Sequence, residues 1–338
     1  MTTSARGTLI VLIVLTVCPG LIVGAKPDAK TLLQVPKARY LFGISVAPSG
    51  QTLLVYRSSE VPEGEAISGT AVLVKLRGSP EVLPLGVPSV TEDLTSTVWG
   101  KQGRKAYILT SSGIYSVNGE TGMSKLIVRG ALAGLAISPD GTRLAFWNLG
   151  SKGTQYTLSV LDISSSRTVK TWRVATRFNS DQYGHEIVFS NDGSSVFART
   201  YDEEDRTPLE QFHIIGGRVH TVWPDCAGLA RGSKQIYFIG EDHGVGTLFK
   251  IGPSSPSPQT LVSPFGFDSL TSSGTQRWVI ATNDRSRRLA VLDSETDKLS
   301  PVRSACENAA VLPGGQVVCS RGGDLIMAGR YASMNGQR

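Results

Sequence analysis

The 338-residue chain contains only four histidines, four cysteines and four methionines. So few imidazoles and thiols argue against a rich metal centre or a disulfide-dense scaffold. The formal charge is +6, yet no run of five or more Lys or Arg occurs, so nucleic acid finds no focused basic footprint. Apart from the N-terminal peptide, no segment carries an apolar stripe at 3.6-residue spacing, which removes a helical core. A Gly-x-Ser-x-Gly elbow is missing; the nearest stretch, "GISVA" at Gly43 to Ala47, reads as core strand. Gly-x-Gly-x-x-Gly is missing too, because "GVGTLF" from Gly244 lacks the third glycine and leads into a strand. No cofactor is expected.

The one long hydrophobic run opens the chain. "MTTSARG" carries a single Arg, "TLIVLIVLTV" follows, Pro19-Gly20 breaks any helix, and "LIVGA" ends in small residues. This is the layout of a signal peptide over residues 1–25, with cleavage after Ala25. The alternative is an uncleaved anchor, since Gly7 to Ala25 is uncharged and nears the ~20 residues that cross a bilayer. The expectation is an exported protein, periplasmic or extracellular, touching a membrane only through this segment if it is retained. An oxidising compartment permits a disulfide. Cys306 and Cys319 flank the turn "LPGG" and form the candidate pair. A turn centred on Pro313-Gly314 would set Cys319 opposite Asn308, diagonal to Cys306. Cys226 is expected to be a small buried hydrophobe.

Glycine, by contrast, is plentiful, with 37 residues. Many sit in one recurring pattern of strand, tight turn and strand. "LAISPDGTRLAFW" (Leu135 to Trp147) is the clearest copy; "ISVAPSGQTLLVY" and "IVFSNDGSSVFAR" are weaker ones. Seven copies place turn glycines at Gly50, Gly103, Gly141, Gly193, Gly232, Gly274 and Gly314, so successive intervals are 53, 38, 52, 39, 42 and 40 residues. A second hairpin follows most copies, such as "GIYSVNGETGMSKLIVR" and "LSVLDISSSRTVKTWRV". Two hairpins per period of ~40–45 residues make the four strands of a propeller blade. The reading is an all-β, seven-bladed β-propeller of four-stranded antiparallel blades over residues 40–338. Residues 26–39 precede it. The last blade supplies "DLIMAGR" as its third strand, and Thr31 to Pro36 would close the ring as its fourth.

"SPDGTRLAF", "SNDGSSVFA" and "APSGQTLLV", with "LSVLDI" and "LAVLDS", resemble the repeat of TolB-like and prolyl-oligopeptidase propellers. The likeness covers Tyr40 to Arg330 and is specific for fold. It implies a periplasmic or extracellular propeller that binds other proteins or gates an attached hydrolase.

Two site candidates follow. If Gly216-Gly217 forms a two-residue turn, His213 and His220 face each other across a hairpin. They would be a metal pair if a third ligand joined, or a plain polar pair on the outer edge of blade four. The stronger candidate is a charged rim made by the loops between second and third strands. Glu63, Glu65, Asp202, Glu203, Glu204, Asp205, Glu241 and Asp242 would form an acidic arc, and Arg285, Arg287, Arg288 and Arg321 a basic one. Such an arrangement orients a protein or peptide partner. The expected function is a non-catalytic binding module. The alternatives are a lactonase-like or metal-dependent hydrolase at the channel mouth, where Glu92, Asp181, His185 and Glu307 would have to converge, and a structural envelope component.

Overall fold

The computed structural model describes residues 30–330 apart from 61–66, 92–95, 151–155, 175–185, 203–205, 243–244, 254, 284–285 and 303–305. The signal segment and Glu63, Glu65, Glu203, Glu204, Asp205, Arg285, Glu92, Asp181 and His185 lie outside the described residues.

Seven antiparallel sheets follow one another along the chain, six of them runs of consecutive strands and the seventh completed from the start of the described chain. Blade three shows the pattern. Strands β11 (Leu132–Ile137), β12 (Arg143–Leu149), β13 (Tyr156–Asp162) and β14 (Arg167–Val174) run from inner to outer edge. Blade one carries one strand more than expected, a two-residue β6 (Val90–Thr91) paired beside the third strand. The ring closes as its sequence implies: β1 (Lys30–Gln34) pairs antiparallel with β29 (Asp324–Arg330), completing blade seven. The junction is sealed by Val35 N–H donating to Gly323 O at 3.1 Å and Leu41 N–H to Gly322 O at 3.1 Å. Closure packs the first blade against the last, so neither is left with an uncovered apolar flank.

What holds the ring together is that each blade is apolar on both sides. The buried residues fall into seven clusters, and each cluster joins two adjacent blades. Trp147, for instance, is fully buried in the cluster between blades three and four, edge-on to Phe212. Each such side chain contributes about 1.5–3 kcal/mol on burial. No blade could hide its flanks alone, so the near-continuous apolar strands need their neighbours.

The inner turns share a hydrogen-bond plan. In blade three, Ser138 N–H donates to Arg143 O at 2.9 Å and Gly141 N–H to Ser138 O at 2.9 Å, with Gly141 at φ 77°. The Asp140 carboxylate accepts from Ser138 Oγ at 2.5 Å and from Thr142 N–H at 3.0 Å. Asp192 repeats this in blade four, accepting from Ser190 Oγ at 2.6 Å and Ser194 N–H at 3.0 Å. The serine hydroxyl beside each carboxylate holds its pKa below the ordinary range. Gly50, Gly103, Gly141 and Gly193 take the positive φ their turns require. Three later copies depart from it: in blade seven the left-handed residue is Gly315 rather than Gly314, in blade six it is Gln276, φ 58°, rather than Gly274, and in blade five Gly232 takes no positive φ, its N–H donating to Gln235 O at 2.8 Å in a shorter turn. Gly274 is small for another reason. A Cβ there would stand 1.8 Å from Val46 O, because the sixth turn packs against the end of the blade-one inner strand.

Candidate functional site

Arg287 and Arg288 lie where the chain passes from β24 (Trp278–Asn283) into β25 (Arg288–Asp293). Asn283 and Arg288 pair at the ends of the two strands. Asn283 Oδ1 accepts from Ser286 N–H at 2.7 Å and Ser286 Oγ at 2.6 Å, folding the loop back on itself. Arg287 then takes a left-handed φ of 50°, which returns the chain to the strand. Arg288 is set over the Phe267 ring, its guanidinium carbon 5.9 Å from the centroid.

Both arginines line a cavity of about 440 Å³ that also receives Arg39, Asn283, Cys306 and Glu307. Three blades therefore contribute: blade six the arginine pair, blade seven Glu307, and the start of blade one Arg39. Glu307 is already engaged, since its carboxylate accepts from Gly322 N–H at 2.8 Å. Among the described residues no carboxylate pairs with Arg39, Arg287 or Arg288. The cavity wall is fixed by a Cys306–Cys319 bridge, Cα to Cα 5.5 Å. The hairpin register places Ala309, not Asn308, opposite Cys319, because a three-residue bend replaces the two-residue turn. Cys226 is fully buried, and burial pushes its thiol up to about 12.

Among the described residues, the other expected rim positions, Asp202, Glu241, Asp242 and Arg321, do not line this cavity. Asp202 is partnered in its own loop, accepting from Arg206 N–H at 3.0 Å and Arg206 Nε at 2.8 Å. Glu241 is exposed near the end of β20 (Ile236–Asp242), where Asp242 faces Val245. Arg321 is exposed at the end of β28 (Gln316–Arg321), beside the cavity-lining Gly322. Arg39 was missed by sequence reasoning. It lies about 250 positions from Arg287, and only ring closure brings the two together.

The histidine hairpin has a different register from the one expected. His213 N–H donates to Arg218 O at 2.8 Å, and His220 faces Gln211. The loop is therefore the four residues Ile214 to Gly217. Ile214 is the cause, being buried between blades three and four with its N–H on Ser194 O at 3.0 Å. The imidazoles sit diagonally and stack, centroids 5.3 Å apart at 24°. His213 Nδ1 lies 3.1 Å from Ser195 Oγ. Among the described residues no three His, Cys, Asp or Glu side chains gather at metal-binding distance.

No family model matches the chain, and no curated protein matches it in sequence. Solved structures do. An oligogalacturonate lyase in complex with manganese aligns over 90% of this chain and 96% of its own, at 12% identity and a TM-score of 0.64. Hydrazine synthase of Kuenenia stuttgartiensis aligns over 90% and 99%, at 13% identity and a TM-score of 0.57. A putative TolB from Agrobacterium tumefaciens aligns over 70% and 87%, at 14% identity and a looser TM-score of 0.46. At such identities the first two likenesses establish the propeller fold and nothing finer.

Proposed function

We propose that the protein is an exported, non-catalytic binding propeller that holds a protein or peptide partner on its charged rim. The observation that carries this reading is the cavity where Arg39, Arg287 and Arg288 converge without a paired carboxylate among the described residues. Guanidinium groups present planar forks that grip carboxylates in pairs, so an acidic segment of the partner is the matching shape and charge. The cavity spans three blades, so such a segment would be gripped by a rigid frame rather than a single loop. Export supports the same reading through residues 1–25 and the bridge between Cys306 and Cys319.

The test is affinity capture from envelope extract of the producing cells, using mature protein and an Arg287→Ala, Arg288→Ala double variant. The wild type should retain a partner that the variant loses, and raised salt should release it. Equal recovery by both forms removes the arginine cavity from recognition. Amino-terminal sequencing of the exported protein should begin at Lys26; a start at Met1 would mean a retained anchor.

A further inference from the structure

A second cation, outside the rim cavity, has no counter-charge among the described residues. Strand β19 (Cys226–Arg231) is the inner strand of blade five, and Arg231 ends it at the turn-bearing end of the ring. Arg231 is only 7% exposed. Its backbone N–H donates to Ser272 Oγ at 2.7 Å, and its Nε donates to Asn191 Oδ1 at 3.0 Å. Among the described residues Nη1 has no partner and no ion pair forms. Arg199 is just as buried, at 6%, yet its Nη1 meets the Glu186 carboxylate at 2.7 Å. Burial works against both charges. At Arg199 burial is outweighed by Glu186 together with Cys226 and Tyr201, while at Arg231 burial acts alone and pushes the pKa down to about 10. Arg231 thus remains a cation at neutral pH in a place that penalises one.

Its side chain lines a cavity of about 270 Å³ on the ring axis, walled by the inner strands of blades two to six. Leu135, Ile137, Val188 and Leu229 make one part of the wall apolar, and Ser96 and Thr271 add hydroxyls. Glu186 also reaches this cavity, but Arg199 already occupies it. The volume falls just below the range of ordinary ligand sites, roughly 300–1,000 Å³, so a small molecule or a chain end fits and a folded partner does not.

We propose that the central channel binds an organic monocarboxylate, with Arg231 as its counter-cation. One free cation balances one negative charge. A phosphate dianion would need a further cation, which the described residues of the cavity do not supply, and the apolar wall favours a short hydrocarbon tail. A free fatty or keto acid and the C-terminal carboxylate of a peptide share this chemistry.

Calorimetric titration of the whole mature protein with hexanoate, hexanol, inorganic phosphate, and a short apolar peptide with free or amidated terminus tests the assignment. Hexanoate or the free-terminus peptide should bind and raise Tm, whichever is tighter naming the source; hexanol, phosphate and the amide should not. Arg231→Met should weaken binding roughly ten- to hundredfold, as for a lost charge-assisted hydrogen bond. Without ligand that variant should be at least as stable as the wild type, because an unpaired buried charge has gone; a residue serving only to clip blade five to blade four through Asn191 would lose stability instead. Should Arg231→Met fail to fold, Thr271→Phe, at an exposed channel position, fills the cavity while leaving Arg231 intact and should abolish binding. Absence of carboxylate binding to the wild type, equal binding of hexanol or phosphate, or unchanged affinity in the variants overturns the proposal. The rim residues take no part, so the two readings fail independently.

Discussion

At the turn-bearing face of the ring, Asp140 and Asp192 engage their carboxylates with serine hydroxyls and backbone N–H groups of their own turns. At the opposite rim, Arg39, Arg287 and Arg288 share one cavity and form no ion pair among the described residues. The first face is satisfied within five or six consecutive residues, so it can be copied from blade to blade. The second is assembled from segments hundreds of residues apart and occurs at one junction. A face whose polar groups are locally satisfied serves the fold, whereas one that gathers unpaired like charges stores a preference for something outside it.

The largest effect should come from the turn face. Gly274→Val would drive a side chain into the Val46 carbonyl, where only backbone could yield. We expect a loss of about 4 kcal/mol, read as a lower urea midpoint at unchanged slope. A loss below about 1 kcal/mol would show that the sixth turn does not press on blade one.

On the rim, replacing both Cys306 and Cys319 by Ser opens a loop of sequence separation 13. The entropy returned to the unfolded chain is worth about 3 kcal/mol. Partner binding should weaken as well, since Cys306 lines the arginine cavity. If stability falls while binding is untouched, the bridge supports the ring but not the site.

Asp140→Asn and Asp192→Asn should each cost about 1 kcal/mol by weakening turn hydrogen bonds that water already screens. Both carboxylates are held below their ordinary pKa by the neighbouring serine hydroxyls. Their contribution is therefore full above the unfolded value, about 3.9, and disappears as pH falls through the lower folded values. The double variant should lose less stability than the wild type between pH 5 and the acid limit, measured by thermal melts across pH. Parallel curves would mean the turns do not need the charge.

This contrast also explains what the sequence made visible. The Ser-Pro-Asp-Gly turn and its copies disclosed seven blades, and Thr31 to Pro36 disclosed the closing strand. Glycine spacing misread the turns of blades five, six and seven: Gly232 and Gly274 answer to packing, and Gln276 and Gly315 take the left-handed φ instead. The His213 register failed because Ile214, read as strand, is drawn into the core beyond the last ladder pair. Arg39 and Arg231 gave no signal, because an unpaired charge is a property of what surrounds a residue and not of its neighbours in sequence.

The smallest effect on stability should belong to the residues that matter most for binding. Arg287 and Arg288 are exposed, and the stacking of Arg288 on Phe267 is worth about 0.5–1 kcal/mol at such a site. Removing two like charges from one cavity relieves repulsion of similar size. Arg287→Ala with Arg288→Ala should thus leave the urea midpoint within about 0.5 kcal/mol of wild type while abolishing partner capture. The same capture should decline steeply as salt shortens the screening length below about 8 Å. A double variant that is strongly destabilised, or a partner that ignores salt, would place these arginines with the fold-serving groups of the opposite face.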